Sequence, residues 1–168
     1  MNLKELILER RSVRKYKKKA ICEETIQNIL ETGIWAPSGL NNQPWRFKII
    51  TEPIIKNKLA QLTKYNSIIE KAPCVICVFL EKEVMYDRDK DIMAIGACIQ
   101  NMLLYAFSIG IGSCWLGEIL NKKDQANKLL GIKNQLELMA VIAFGYDQLN
   151  EFKLRKGQRD NLESFILK

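Results

Sequence analysis

The sequence predicts an α+β fold in one domain spanning residues 1–168, with a few strands covered by many helices. Three observations predict it. Apolar residues recur at helical spacing in several segments, while three short runs are alternating or wholly apolar in the manner of strands. The chain has 168 residues of which 48% are hydrophobic, enough for one good core and too few for two ordinary domains. Its 27% of charged residues are interspersed with aliphatics, unlike the composition of a disordered chain.

Taken in order, Asn2 and Glu5 form a capping-box pattern, and Leu3, Leu6 and Ile7 share a helical face, so a first helix should run to about Arg10. A basic segment ends it. Glu23 to Gly33 reads as a second helix with Ile26, Ile29 and Leu30 inward, stopped before Pro37. A loop of turn formers follows to Pro44. Trp45 to Thr51 alternates apolar and basic residues as a half-buried strand does. Pro53 suits the first turn of a third helix, with Ile55, Leu59 and Leu62 inward, before Pro73 admits the apolar strand Cys74–Leu80. From about Asp89 to Ile109 a long helix, apolar on most faces, stops at Gly110 and Gly112. Ser113–Leu116 is a short strand, Lys123–Leu130 a helix closed by Gly131, and Leu136–Phe144 a buried strand ended by Gly145. From Asp147 to Asp160 the chain is polar without a period, as if wrapping a surface.

Composition excludes several kinds of chemistry. With no histidine, neither a Ser-His-Asp nor a Cys-His site can be built, and most zinc sites are ruled out. There is no G-x-x-x-x-G-K-[ST] loop and no G-x-G-x-x-G turn. Five cysteines in apolar settings read as reduced core residues. Cys74 and Cys77 have redox spacing, but residues three apart on a strand point to opposite faces. Asp87, Asp89 and Asp91 read as charges at a helix start, favoured by the helix dipole. The start of the chain lacks secretory features and the apolar stretch 92–115 carries Gln100 and Asn101, so the cytoplasm is expected and no membrane partner.

The formal charge is +7, and Arg10, Arg11, Arg14, Lys15, Lys17, Lys18 and Lys19 alone match that excess. Guanidinium forks beside the Ser12 hydroxyl suit a dianionic phosphate, although a solvated basic turn would look the same. Binding to nucleic acid is disfavoured, since Tyr16 is the only aromatic within the run. The second signal is Ala36–Trp45 (APSGLNNQPW), whose prolines fix backbone shape and whose amides and hydroxyl can read the edge of a flat heterocycle.

Arg10-Arg11-Ser12-x-Arg14 followed by A-P-S-G-x-N-x-Q-P-W-R-F closely resembles the FMN-dependent nitroreductase family. Gly110–Gly117 (GIGSCWLG) and Ala143–Tyr146 (AFGY) are similar to further family segments in the same order. The resemblance implies a mainly antiparallel central sheet flanked by helices, a long buried central helix and a C-terminal tail that crosses to a partner. It also implies that Arg10, Ser12 and Arg11 hold the FMN phosphate while Arg14 reaches toward the ribityl chain or pyrimidine. Pro37, Ser38, Asn41 and Gln43 would cover FMN from the partner subunit, and Leu116 and Gly117 would lie along the N5 edge through their amides. Arg159, with Lys156 as the other candidate, would reach the phosphate from the tail. The implied activity is ping-pong transfer of electrons from NADH or NADPH through FMN to a small acceptor such as a nitroaromatic or quinone, in a homodimer with shared sites. Other FMN chemistry, such as dehalogenation, flavin breakdown or sensing, is the alternative.

Overall fold

The computed structural model describes residues 1–149 and 157–167. A four-stranded sheet lies at its centre, formed by β1 (Trp45–Ile50), β2 (Cys74–Glu81), β3 (Gly112–Leu116) and β4 (Leu136–Gly145) in the order β1-β2-β4-β3. Every pairing is antiparallel, with Trp45 opposite Leu80, Cys74 opposite Phe144 and Gly112 opposite Gly145.

The side chains of β2 explain why that strand is apolar without alternation. Cys74, Ile76, Val78 and Leu80 join one core cluster, and Val75, Cys77 and Phe79 join the other. A strand covered on both faces needs apolar residues at every position. The first cluster packs the sheet against α2 (Glu23–Ile34) and α5 (Arg88–Ser108); the second packs it against α3 (Pro53–Ala60), α4 (Asn66–Lys71) and α6 (Lys123–Leu129). Cys74 and Cys77 therefore face opposite layers. Burial pushes the thiols of Cys74, Cys77 and Cys98 up to about 12, so all three are inert at neutral pH.

Local signals place most boundaries. The capping box of α1 (Leu3–Glu9) is complete: Asn2 Oδ1 accepts from Glu5 N at 3.0 Å and Glu5 Oε2 accepts from Asn2 N at 2.9 Å. Pro53 occupies the first turn of α3, and Gly110 and Gly131 end their helices with φ of 77° and 63°.

At three places the structure departs from the local patterns or goes beyond them. The apolar stripe of α1 forms, but none of its residues is buried, and Leu3, Ile7 and Leu8 are exposed. The segment before Pro73 is two helices rather than one, because a turn intervenes where Glu118 accepts from Thr63 Oγ1 and from Lys64 N at 3.2 Å. Among the tryptophans only Trp45 packs in the core; Trp35 and Trp115 are exposed.

Candidate functional site

Arg10 ends α1 by leaving helical geometry at ψ 128°, and the chain then runs extended beside the sheet. Ser12 forms a parallel bridge with Ser113 of β3, and Val13 N donates to Ser113 O at 2.9 Å. Four residues on, Tyr16 bridges Asp147, and Lys17 N donates to Tyr146 O at 2.9 Å. Val13 and Tyr16 are buried, and the Tyr16 hydroxyl donates to Val13 O at 2.6 Å. With those two side chains inward, the arginines between and before them line a surface cleft. Gly112 permits this stitching: a Cβ there would stand 2.7 Å from Val13 Cβ.

The cleft holds about 470 Å³ and is lined by Arg10, Arg11, Ser12, Arg14 and Arg159 together with Gly157 and Gln158. Its wall is shared with a second hollow of about 390 Å³ that reaches Ile7, Leu8 and Gln100. Backbone carbonyls brace the guanidinium groups. Arg11 Nη1 donates to Leu8 O at 2.6 Å and to Arg10 O at 2.9 Å, Arg14 Nη1 to Ser12 O at 3.3 Å, and Arg159 Nη1 to Gln158 O at 2.6 Å. Partial burial lowers the pKa of Arg10, and the like charges of Arg11 and Arg159 lower it further. A cation destabilised in this way is stabilised by an arriving anion, so the donor set fits a phosphate in charge and in the kind of donors it offers. Five of the predicted residues thus converge on one cleft. Lys156 lies outside the described residues.

The other predicted residues lie elsewhere. Pro37 and Ser38 line a separate cleft of about 250 Å³ against Lys90, Met93, Ala94 and Ala97 of α5, which shares no lining residue with the arginine cleft. Asn41 and Gln43 belong to the same loop. Here the backbone is strained, with φ of 54° at Leu40, 53° at Asn41 and 47° at Gln43. Ser38 Oγ accepts from Gln43 N at 3.1 Å, and Gln43 Nε2 donates to Asn41 O at 3.3 Å. Leu116 ends β3 as a buried residue and Gly117 follows it exposed; they line neither cleft, but share a strand with Ser113, the bridge partner of Ser12.

Two residues that motif reasoning passed over stand behind the loop. Asp91 is 0% exposed and accepts from Asn42 Nδ2 at 2.8 Å. Asp87, by contrast, caps α5 and accepts from Lys90 N at 3.1 Å, as the helix-start reading expects. A signal for Asp91 does exist in the sequence. It stands four residues before Ile95 and seven before Cys98, on the stripe of α5 that is buried throughout.

Comparison with known proteins matches these features. The sequence profile of the Nitroreductase family matches residues 7–64 and 54–146. A "putative nitroreductase in complex with FMN" from Desulfovibrio desulfuricans superposes with a TM-score of 0.94 at 40% identity, covering 100% of this chain and 97% of that one. The "putative NADH dehydrogenase/NAD(P)H nitroreductase" of Archaeoglobus fulgidus is 31% identical over 84% of this chain and 83% of its own length. The NADPH-flavin oxidoreductase of Vibrio harveyi is 29% identical over 92% of this chain and 70% of its own. With one profile spanning both the arginine segment and the strained loop, and the fold reproduced over its full length, this chain belongs to the nitroreductase family.

Proposed function

We propose that this chain is an FMN-dependent oxidoreductase that carries electrons from NADH or NADPH to a small acceptor such as a nitroaromatic or quinone. The observation that carries the reading is the cleft in which Arg10, Arg11, Ser12, Arg14 and Arg159 meet, since it joins residues from both ends of the chain around space for a phosphate. FMN supplies the hydride and electron chemistry that the side chains of a histidine-free protein do not.

Arg10, Arg11 and Arg159 hold the phosphate by charge-assisted hydrogen bonds, with the Ser12 hydroxyl as a further donor. Arg14, two residues along the extended segment, would reach toward the ribityl chain or the pyrimidine end of the ring, where a fixed cation would favour the reduced form. From the partner subunit, Pro37, Ser38, Asn41 and Gln43 would cover the ring and exclude water, while the amides of Leu116 and Gly117 would border its reactive edge. With one ring face left open, donor and acceptor would bind there in turn, in a ping-pong order. The division of the predicted residues between two clefts that share no wall supports a site assembled from two chains.

The test is spectroscopic. The purified protein should show a flavin spectrum that survives in the supernatant after heat denaturation. Anaerobic NADH or NADPH should bleach it, and a quinone or nitroarene should restore it. A protein that binds no FMN on titration overturns the reading. Bound flavin that stays oxidised with both nicotinamides yet bleaches with dithionite overturns the reductase activity alone.

A further inference from the structure

Asn42 sits inside the strained loop between two residues of left-handed backbone, Asn41 and Gln43, and its side chain turns away from that loop. Its Nδ2 donates to Asp91 Oδ1 at 2.8 Å and to Val84 O at 3.1 Å. The other carboxylate oxygen, Asp91 Oδ2, accepts from Tyr86 N at 3.1 Å and Asp87 N at 3.4 Å. Asp91 is fully buried and forms no ion pair among the described residues; its neighbour Lys90 pairs with Asp87 at 3.4 Å instead. Burying a carboxylate is costly unless hydrogen bonds replace its hydration, so Asp91 demands each of these donors. That demand also orients the amide of Asn42, because the flipped form would press Oδ1 against the carboxylate. The segment 84–87 is drawn in by Asp91 Oδ2, which holds Tyr86 N and Asp87 N, and by Asn42 Nδ2, which holds Val84 O; Tyr86 closes on the loop so tightly that a Cβ on Gly39 would lie 2.1 Å from its hydroxyl oxygen.

Three left-handed non-glycine residues within four positions are expensive, and such backbone persists only where its surroundings over-determine it. Within the loop, Asn41 N donates to Ser38 O and Asn42 N to Gly39 O, both at 3.1 Å, Ser38 Oγ accepts from Gln43 N, and Gln43 Nε2 donates to Asn41 O; all of these bonds are local and none ties the loop to the rest of the fold. The contact between Asn42 and Asp91 spans 49 residues and ties the loop to the first turn of the longest helix. We propose that Asp91, acting through Asn42, is a positioning residue that holds loop 38–43 in the shape that receives the flavin ring. Neither residue touches the cofactor. Their effect is preorganisation: when the anchor is lost the loop spends only part of its time in the competent shape, and apparent affinity falls by that fraction. The inference rests on the proposed flavin function, and its test is chosen so that the two can fail separately.

Asn42→Ala leaves Asp91 Oδ2 its two backbone donors but takes from Oδ1 its donor among the described residues, so circular dichroism and a melting curve first establish that the variant is folded. FMN and riboflavin are titrated by fluorescence against wild type, Asn42→Ala, Asn42→Asp, and the exchange variant Asn42→Asp with Asp91→Asn. Because the loop acts on the ring, Asn42→Ala should weaken both flavins by the same factor, roughly tenfold for one lost charge-assisted hydrogen bond. Asn42→Asp, which opposes two carboxylates, should weaken them at least as much. The exchange variant restores an amide facing a carboxylate but loses the donor to Val84 O, so it should bind both flavins more tightly than Asn42→Asp alone while staying below wild type, a rescue that general destabilisation would not produce. A folded Asn42→Ala protein with unchanged flavin affinity, whatever its melting temperature, overturns the anchor and leaves the flavin reading standing. Failure of the wild type to bind FMN overturns the functional reading first.

Discussion

Arg10 is half-buried beside two like charges, which together lower its pKa, so an anion bound there relieves both the burial and the repulsion. Arg10→Ala should cost about 1.5–3 kcal/mol of FMN binding, a tenfold to hundredfold loss of affinity by fluorescence titration. Arg10→Lys should recover only part, because an ammonium cannot offer two parallel donors to a phosphate. Riboflavin, lacking the phosphate, should bind the Ala variant and the wild type alike. At the start of β4, away from the end that pairs with Gly112, Glu137 shows the complementary case of a carboxylate held ionised. Arg88 Nη1 and Nη2 donate to it at 2.8 and 3.0 Å and Lys123 Nζ at 2.7 Å, and these partners, Arg88 foremost, lower its pKa to about 2. A folded-state pKa below the unfolded one stabilises the protein above the unfolded value, near 4.5, and the benefit is lost as pH falls toward 2. Wild type should therefore melt above Glu137→Gln at pH 7, and the gap should close between about pH 4.5 and 2. A gap that stays constant across that range would show that the ion pairs are not its source.

Among the elements, the junction between segment 12–16 and β3 controls the phosphate cleft. Gly112→Ala forces its methyl against Val13, which is 0% exposed and cannot swing into solvent. Overpacking of this kind costs about 1–3 kcal/mol, and relief requires the extended segment to lift from the sheet edge and carry Ser12 with it. The variant should melt lower and also bind FMN more weakly than wild type under conditions where both are folded. Lower stability with full FMN affinity would mean that the bridge between Ser12 and Ser113 does not set the cleft.

Across the whole molecule, apolar surface remains uncovered in one chain. Leu3, Ile7 and Leu8 of α1, Trp35 after α2, Leu40 in the strained loop and Met93 on α5 are all exposed, and the tail ends in exposed Leu162, Phe165, Ile166 and Leu167. Surface of this kind is expected to meet a partner. We predict a homodimer in light scattering, with two flavin sites that each draw on both chains. Arg10→Glu and the Ser38→Trp, Asn41→Leu double variant should each lose flavin alone. Mixed dimers place all lesions in one site and should regain flavin in the other. No recovery in a proven heterodimer would exclude a shared site.

The sequence by itself determined what depends on neighbours along the chain. The capping box at Asn2, the stop glycines, the all-apolar β2 and the arginine run are short-range patterns of shape and charge, readable because a helix or strand is specified over a few residues. Tertiary structure decided what depends on contacts between distant segments. It brought Arg159 to Arg10, left the stripe of α1 bare, split the helix before Pro73 through Glu118, and turned Asp91 from a helix-start charge into the buried anchor of a loop 49 residues away. Those outcomes follow from strand order and from which faces are covered; the stripe of α5 signals that Asp91 turns inward, but no local pattern names its partner, because the free energy of burying a group depends on what the rest of the chain sets against it.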